Sequence, residues 1–93
     1  MGKEYVILDT ETTYNPETKK EEIIEISAIK IDNLFNKTSE FYKSINPKIP
    51  LTFITKKVTG ITEESLIDSP SFNEVIDEFY DFLGKCPIIA HNA

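Results

Sequence analysis

Tyr5-Val6-Ile7-Leu8-Asp9-Thr10-Glu11 is the stretch from which the rest of the chain is read. Four apolar or aromatic residues, two of them β-branched, stand together and give way abruptly to Asp9. Such a run predicts a short buried strand ending at Asp9. After it, Thr12 to Lys20 is polar, with Asn15-Pro16 as a turn signal and Glu17 to Glu22 as a solvated, mixed-charge loop. Glu22 to Ile31 is the second strand. Ile24, Ile26 and Ala28 alternate on one face, and Ile23, Ile29 and Ile31 share the other with Glu25 and Ser27. A strand apolar on both faces belongs inside a sheet. Asp32-Asn33 begins a turn, and Ser39 to Ile45 reads as a third strand. Short connections between the three imply an antiparallel meander.

Asn46-Pro47 and Ile49-Pro50 interrupt the strand pattern. Phe53 to Val58 is expected as a short helix closed by Gly60, with a further turn over Glu63 to Ile67. The strongest helical signal is Phe72 to Leu83, where Phe72, Val75, Ile76, Phe79, Phe82 and Leu83 form one apolar stripe. Ser71 and Glu74 have capping-box spacing, and Gly84 ends the helix. Pro87 to Ala90 is the fourth strand, parallel to the first after a helical crossover. The order β-β-β-α-β makes an α/β layer with mixed strand directions. One helix covers one face of a sheet. The other face is therefore expected to be covered by further chain, a partner or a second copy, that is, a homodimer.

Ninety-three residues, 40% hydrophobic and 28% charged, fit a single globular domain. No apolar run approaches the ~20 residues of a membrane helix, and the first residues lack the apolar stretch of a secretory signal. The single Cys86 excludes an internal disulfide framework and points to the cytoplasm; it is expected as a core or near-core thiol. Net charge is −6, from 16 acidic and 10 basic residues. That argues against a broad electrostatic grip on duplex nucleic acid. It leaves room for a carboxylate site that binds a short strand end through cations.

Asp9-Thr10-Glu11 is the leading candidate for chemistry. In an extended chain residues two apart point the same way, with Cα atoms about 6–7 Å apart. Two carboxylates so placed can ligate hard divalent cations such as Mg²⁺ or Mn²⁺. A lone Asp-x-Glu also arises readily by chance in so acidic a chain, where it is only a solvated strand end. His91, the single histidine, could serve as a base, a metal ligand or a hydrogen-bonded strand terminus. Phe53, Ile54 and Ile61 around Thr59-Gly60 are either an apolar wall for a terminal base or packing over the core. Neither a nucleophile-elbow sequence nor a phosphate-cradling Gly-rich loop is present.

Taken in order, these motifs resemble a known family. Tyr5-Val-Ile-Leu-Asp-Thr-Glu-Thr-Thr13 resembles the first motif of the DEDD 3′–5′ exonucleases, and Ile23-Ile-Glu-Ile-Ser-Ala-Ile29 the second strand of that family. Ile45-Asn-Pro47, Val58-Thr-Gly-Ile-Thr62 and Ser69-Pro70 follow in the same order, and Ala90-His-Asn-Ala93 looks like the start of the second motif. The similarity spans essentially the whole chain. It is closest to the DEDDh-type proofreading exonucleases of bacterial DNA polymerase III, of the epsilon-subunit or PolC type.

The resemblance implies a ribonuclease H-like fold, truncated after the fourth strand, with residues 1–93 as the N-terminal part of a single exonuclease domain. It implies metal-dependent hydrolysis of phosphodiester bonds at a single-stranded DNA 3′ end, with polymerase subunits as partners. Asp9 would bridge two Mg²⁺ or Mn²⁺ ions, and Glu11 would hold the one that activates water. Thr12 would contact the terminal nucleotide, largely through its backbone, and Ile61 would line the base pocket. His91 and Asn92 carry over as structural supports. Tyr14 stands where the family usually has Gly, so a different loop geometry is expected there. Only two of the four metal carboxylates are in this sequence, so the two-ion site is incomplete and the chain alone is expected to be inactive. A non-catalytic binding or assembly module of the same fold, or an RNA-trimming exonuclease, are the alternative expectations.

Overall fold

The computed structural model describes residues 3–91. Among them run strands β1 (Glu4–Asn15), β2 (Lys20–Asp32) and β3 (Lys37–Ser44), helices α1 (Phe53–Thr59), α2 (Glu63–Leu66) and α3 (Phe72–Leu83), and strand β4 (Ile88–His91). The strands form one sheet in the order β3-β2-β1-β4. The first three make the expected antiparallel meander, and β4 lies parallel to β1, with Val6 opposite Ile88. No described helix is long and apolar enough to cross a membrane.

The first strand does not end at Asp9. It continues through the polar segment to Asn15, and β2 begins at Lys20, so part of the expected loop is ladder. The physical reason is cross-strand bonding by polar side chains. Thr12 Oγ1 donates to Glu21 Oε1 at 2.7 Å, and Asn15 Nδ2 donates to Glu22 Oε2 at 3.2 Å. Thr13 between them is fully buried. Tyr14 continues the strand opposite Glu21. The turn closes through the Lys19 N–H on Asn15 O at 2.8 Å, with Lys19 in the left-handed region.

A bulge interrupts the β1–β2 ladder. Glu11 faces Glu25 and Thr12 faces Ile23, which leaves Ile24 as the extra residue. The extra residue breaks the simple alternation expected for β2. Ile26 and Ala28 join Val6, Phe41, Ile45, Val75, Phe79 and Leu83 in the main core, whereas Ile24 packs with Leu51 and Leu66. Ile23 packs instead against the main core.

α3 forms over the expected residues and supplies one wall of that core. The backbone N–H of Ser71 donates to Glu74 Oε2 at 3.4 Å, the return half of the capping box. Phe41 is flanked by Phe79 and Phe82, each with ring centroids 5.5 Å away. Cys86 lies against this cluster, half-buried. The segment expected as a turn over Glu63 to Ile67 is the short helix α2, capped reciprocally by Thr62 and Ser65. β3 ends at Ser44, although the Ile45 N–H still reaches Ile24 O at 2.8 Å.

The opposite face of the sheet is set by register. Tyr5 pairs with Ile31, Ile7 with Ile29 and Ile89, and Asp9 with Ser27. Directly paired residues share a face, so this side carries an apolar band that leads to the acidic pair. Leu51, Leu66 and Thr13, from the α1–α2 lobe and the adjoining strand, close the far end beyond Glu11.

Candidate active site

Asp9 and Glu11 lie on β1, two residues apart and therefore on one face. β1 is an inner strand, with β2 on one side and β4 on the other up to the Asp9–His91 pair. Two ladders thus fix the backbone that carries Asp9. Its Oδ1 is sealed from solvent and has no hydrogen-bond partner among the described residues. Neither acid takes part in the ion pairs of the described residues, which join Lys37 to Glu40, Lys43 to Glu78 and Lys56 to Glu63.

An unsatisfied buried oxygen costs about 1–3 kcal/mol, and more when it is charged. A bound cation removes that cost. The donors are hard carboxylate oxygens, which suit Mg²⁺ or Mn²⁺. The pair therefore fits a divalent ion, on the strength of the orphaned Asp9 oxygen. Among the described residues no cluster of three or more His, Cys, Asp or Glu side chains forms a metal site.

Glu25 stands opposite Glu11 on the same face. Tyr42 Oη donates to Glu25 Oε2 at 2.6 Å, and this bond to the carboxylate holds the Tyr42 phenol above its ordinary pKa. Sequence reading placed Glu25 on the face with Ser27 but did not bring it beside Glu11. Only the register of the bulged hairpin does that.

A chain of threonines ties the acidic strand to the α1–α2 lobe. Thr55, buried in the first turn of α1, donates through Oγ1 to the Thr12 carbonyl at 3.2 Å. The Thr52 N–H donates to Thr13 Oγ1 at 3.1 Å, and Thr52 Oγ1 caps α1 by accepting the Thr55 N–H at 3.1 Å. Further on, Thr59 Oγ1 donates to Thr55 O at 2.7 Å and accepts the Ile61 N–H at 3.0 Å. Thr12 and Ile61, the two expected substrate contacts, are thereby linked. Sequence reading missed Thr52 and Thr55. Thr52 just ahead of an apolar helix is an N-cap signal that points to them.

Phe53 and Ile54 are 74% and 72% exposed, so they do not pack over the core, whereas Ile61 packs partly against Ile24, Leu51 and Leu66. Glu63 anchors the lobe: its Oε2 accepts the Leu51 N–H at 3.1 Å and its Oε1 meets Lys56 Nζ at 3.3 Å. Of the expected second-motif supports, His91 is described as backbone only, at the end of β4, and Asn92 lies outside the described residues.

Comparison with known proteins settles the family. The RNase_T family, described as exonuclease, matches residues 6–93. This chain belongs to that exonuclease family. It is 39% identical over 90 residues to a DNA polymerase III PolC-type of Caldanaerobacter subterraneus subsp. tengcongensis, covering 97% of the chain and 6% of that protein. It is 36% identical over 88 residues to a DNA polymerase III subunit epsilon of Rickettsia felis, covering 95% of the chain and 38% of that protein. The chain thus spans well under half the length of these relatives. Among solved structures, the nuclease domain of 3′hExo, a DEDDh family member bound to rAMP, superposes with a TM-score of 0.77 at 23% identity, covering 96% of this chain and 50% of that one. The four-stranded sheet and its helices are accordingly the ribonuclease H-like architecture of these exonucleases.

Proposed function

We propose that this chain carries the first metal-binding element of a 3′–5′ exonuclease that removes nucleotides from a DNA 3′ end, of the DNA polymerase III proofreading type. The observation that carries the reading is the orphaned Oδ1 of Asp9, on one face with Glu11, in a strand matched by the exonuclease family. Asp9 and Glu11 would hold divalent ions of the Mg²⁺ or Mn²⁺ kind. Such ions, when bound, activate water for attack on a phosphodiester and stabilise the leaving oxygen. Asp9, with a ladder on either side, fixes the geometry; Glu11, at the bulge, lies next to the loop side of the site. The backbone near Thr12 and the apolar side chain of Ile61 orient the terminal nucleotide against the acids. Polymerase subunits are the proposed partners, in keeping with the names of the relatives.

Two carboxylates hold metal less firmly than a fuller ligand set, so the chain by itself is expected to trim slowly or not at all. The test pairs binding with cleavage. Mn²⁺ is titrated into the wild-type chain and into Asp9→Ala, and a 5′-labelled single DNA strand is incubated with each. Mn²⁺ binding that Asp9→Ala abolishes supports the reading, as does any one-nucleotide ladder from the 3′ end that is lost with it. Absence of Mn²⁺ binding, or trimming that survives the substitution, refutes it. Strands ending in ribose and in deoxyribose, compared side by side, separate RNA from DNA preference.

A further inference from the structure

The buried hydroxyl of Thr55 is used by no step of the mechanism above. A polar group in an apolar lobe is costly unless it is bonded, and a β-branched residue gains little as a helix former. Valine would fill the same volume. Yet Thr55 Oγ1 is bonded twice, donating to the Thr12 carbonyl at 3.2 Å and accepting from Thr52 Oγ1 at 2.9 Å. Its own carbonyl accepts from Thr59 Oγ1, which in turn accepts the Ile61 N–H. A continuous hydrogen-bonded path therefore runs from the residue after Glu11 to the apolar loop.

We propose that Thr55 is a positioning residue for substrate: it sets the separation between the Asp9–Glu11 strand and the Ile61 loop, and so where a 3′-terminal nucleotide sits relative to the acids. The inference rests on the nuclease reading given above. A terminal nucleotide must place its phosphate on one of these elements and its base on the other at the same time. A misplacement of about 1 Å between them is enough to impair binding and reaction. Thr55 touches neither group directly. Its effect passes through Thr12 and, by way of Thr59, through Ile61.

The test uses thymidine 5′-monophosphate with Mn²⁺, titrated calorimetrically into the full chain and its variants. Thr55→Val keeps the shape and removes the two bonds of the hydroxyl, to the Thr12 carbonyl and from Thr52 Oγ1, while the Thr55 carbonyl still accepts from Thr59. It should weaken mononucleotide binding about five- to tenfold, the effect of about one net hydrogen bond. Mn²⁺ binding measured without nucleotide should stay within about twofold of wild type, because Asp9 and its ladders are untouched. Thr55→Ser, which restores the hydroxyl, should recover the nucleotide affinity. Thr59→Val, which breaks the next link, should act in the same direction, and it carries the test if circular dichroism shows Thr55→Val to be unfolded. Wild-type nucleotide affinity in both valine variants overturns the inference and leaves the nuclease reading standing. So does a parallel loss of Mn²⁺ affinity, or a serine variant that fails to recover. Failure of the wild-type chain to bind the nucleotide with Mn²⁺ overturns both.

Discussion

Replacing Asp9 with Asn is expected to make the metal-free protein more stable while removing its response to metal. The structure supplies two contributions of the same sign. The first is the buried Oδ1 that lacks a partner among the described residues. An Asn amide still leaves a polar atom there, so only the excess cost of charge is relieved, about 1 kcal/mol. The second is repulsion from Glu11 on the same face. If the charges are as far apart as Cα atoms two residues apart on a strand, about 6–7 Å, they interact by about 0.6 kcal/mol in water-like surroundings and about 2.5 kcal/mol at an effective dielectric of 20. Glu11 is partly solvated, so the lower end applies. Together these give about 1–2 kcal/mol, or a rise of about 5–10 °C in melting temperature for a domain of this size. The wild-type chain at a Mn²⁺ concentration 100 times its Kd should gain about 2.7 kcal/mol, and the variant should gain little. Thermal unfolding with EDTA and with Mn²⁺, followed by circular dichroism, measures both effects. A variant that melts below wild type in EDTA, and is stabilised by Mn²⁺ to the same extent, would refute the reasoning.

Phe79→Ala should cost about 3–5 kcal/mol, because Phe79 is 9% exposed and its ring packs, tilted, against Phe41 in the main core. Urea unfolding reads that loss directly, and a change below about 1 kcal/mol would show that α3 does not seal the sheet as described. Glu63 contributes to the acid side of the stability curve. Its own backbone N–H, the Leu51 N–H and then Lys56 hold its carboxyl below the ordinary 4.5. The folded value lies below the unfolded one, so this contribution is present above pH 4.5 and is lost as pH falls through the lower folded value. Glu63→Gln should flatten the dependence of melting temperature on pH below 4.5, and an unchanged slope there would count against the Glu63 anchor.

Much of the architecture was legible because apolar periodicity is local. The stripe from Phe72 to Leu83 reads as a helix without knowledge of anything it touches, and the apolar run at Tyr5 to Leu8 reads as a buried strand on its own. The limits of β1 and β2 were not legible. Thr12 and Asn15 remain extended through bonds to Glu21 and Glu22, and those partnerships depend on which residues face each other across the turn. The bulge at Ile24 is hidden for a similar reason: strict alternation in sequence offers no sign that one residue is extra. The acidic pair was recognisable from its spacing and setting. Its surroundings were not, because Glu25 and Tyr42 meet it through strand register, and Thr55 reaches Thr12 across 43 positions of chain.

The parallel pairing of β1 with β4 bears on how the protein is made. Val6 finds its partner only at Ile88, 82 positions further along, so that long intervening segment must leave the ribosome before the ladder can close. Until then the nascent strand that bears the acids has one open edge, with Tyr5-Val6-Ile7-Leu8 available to pair with a neighbouring chain. Asp9 and Glu11 follow that sticky segment directly, and their charge discourages such pairing during the interval.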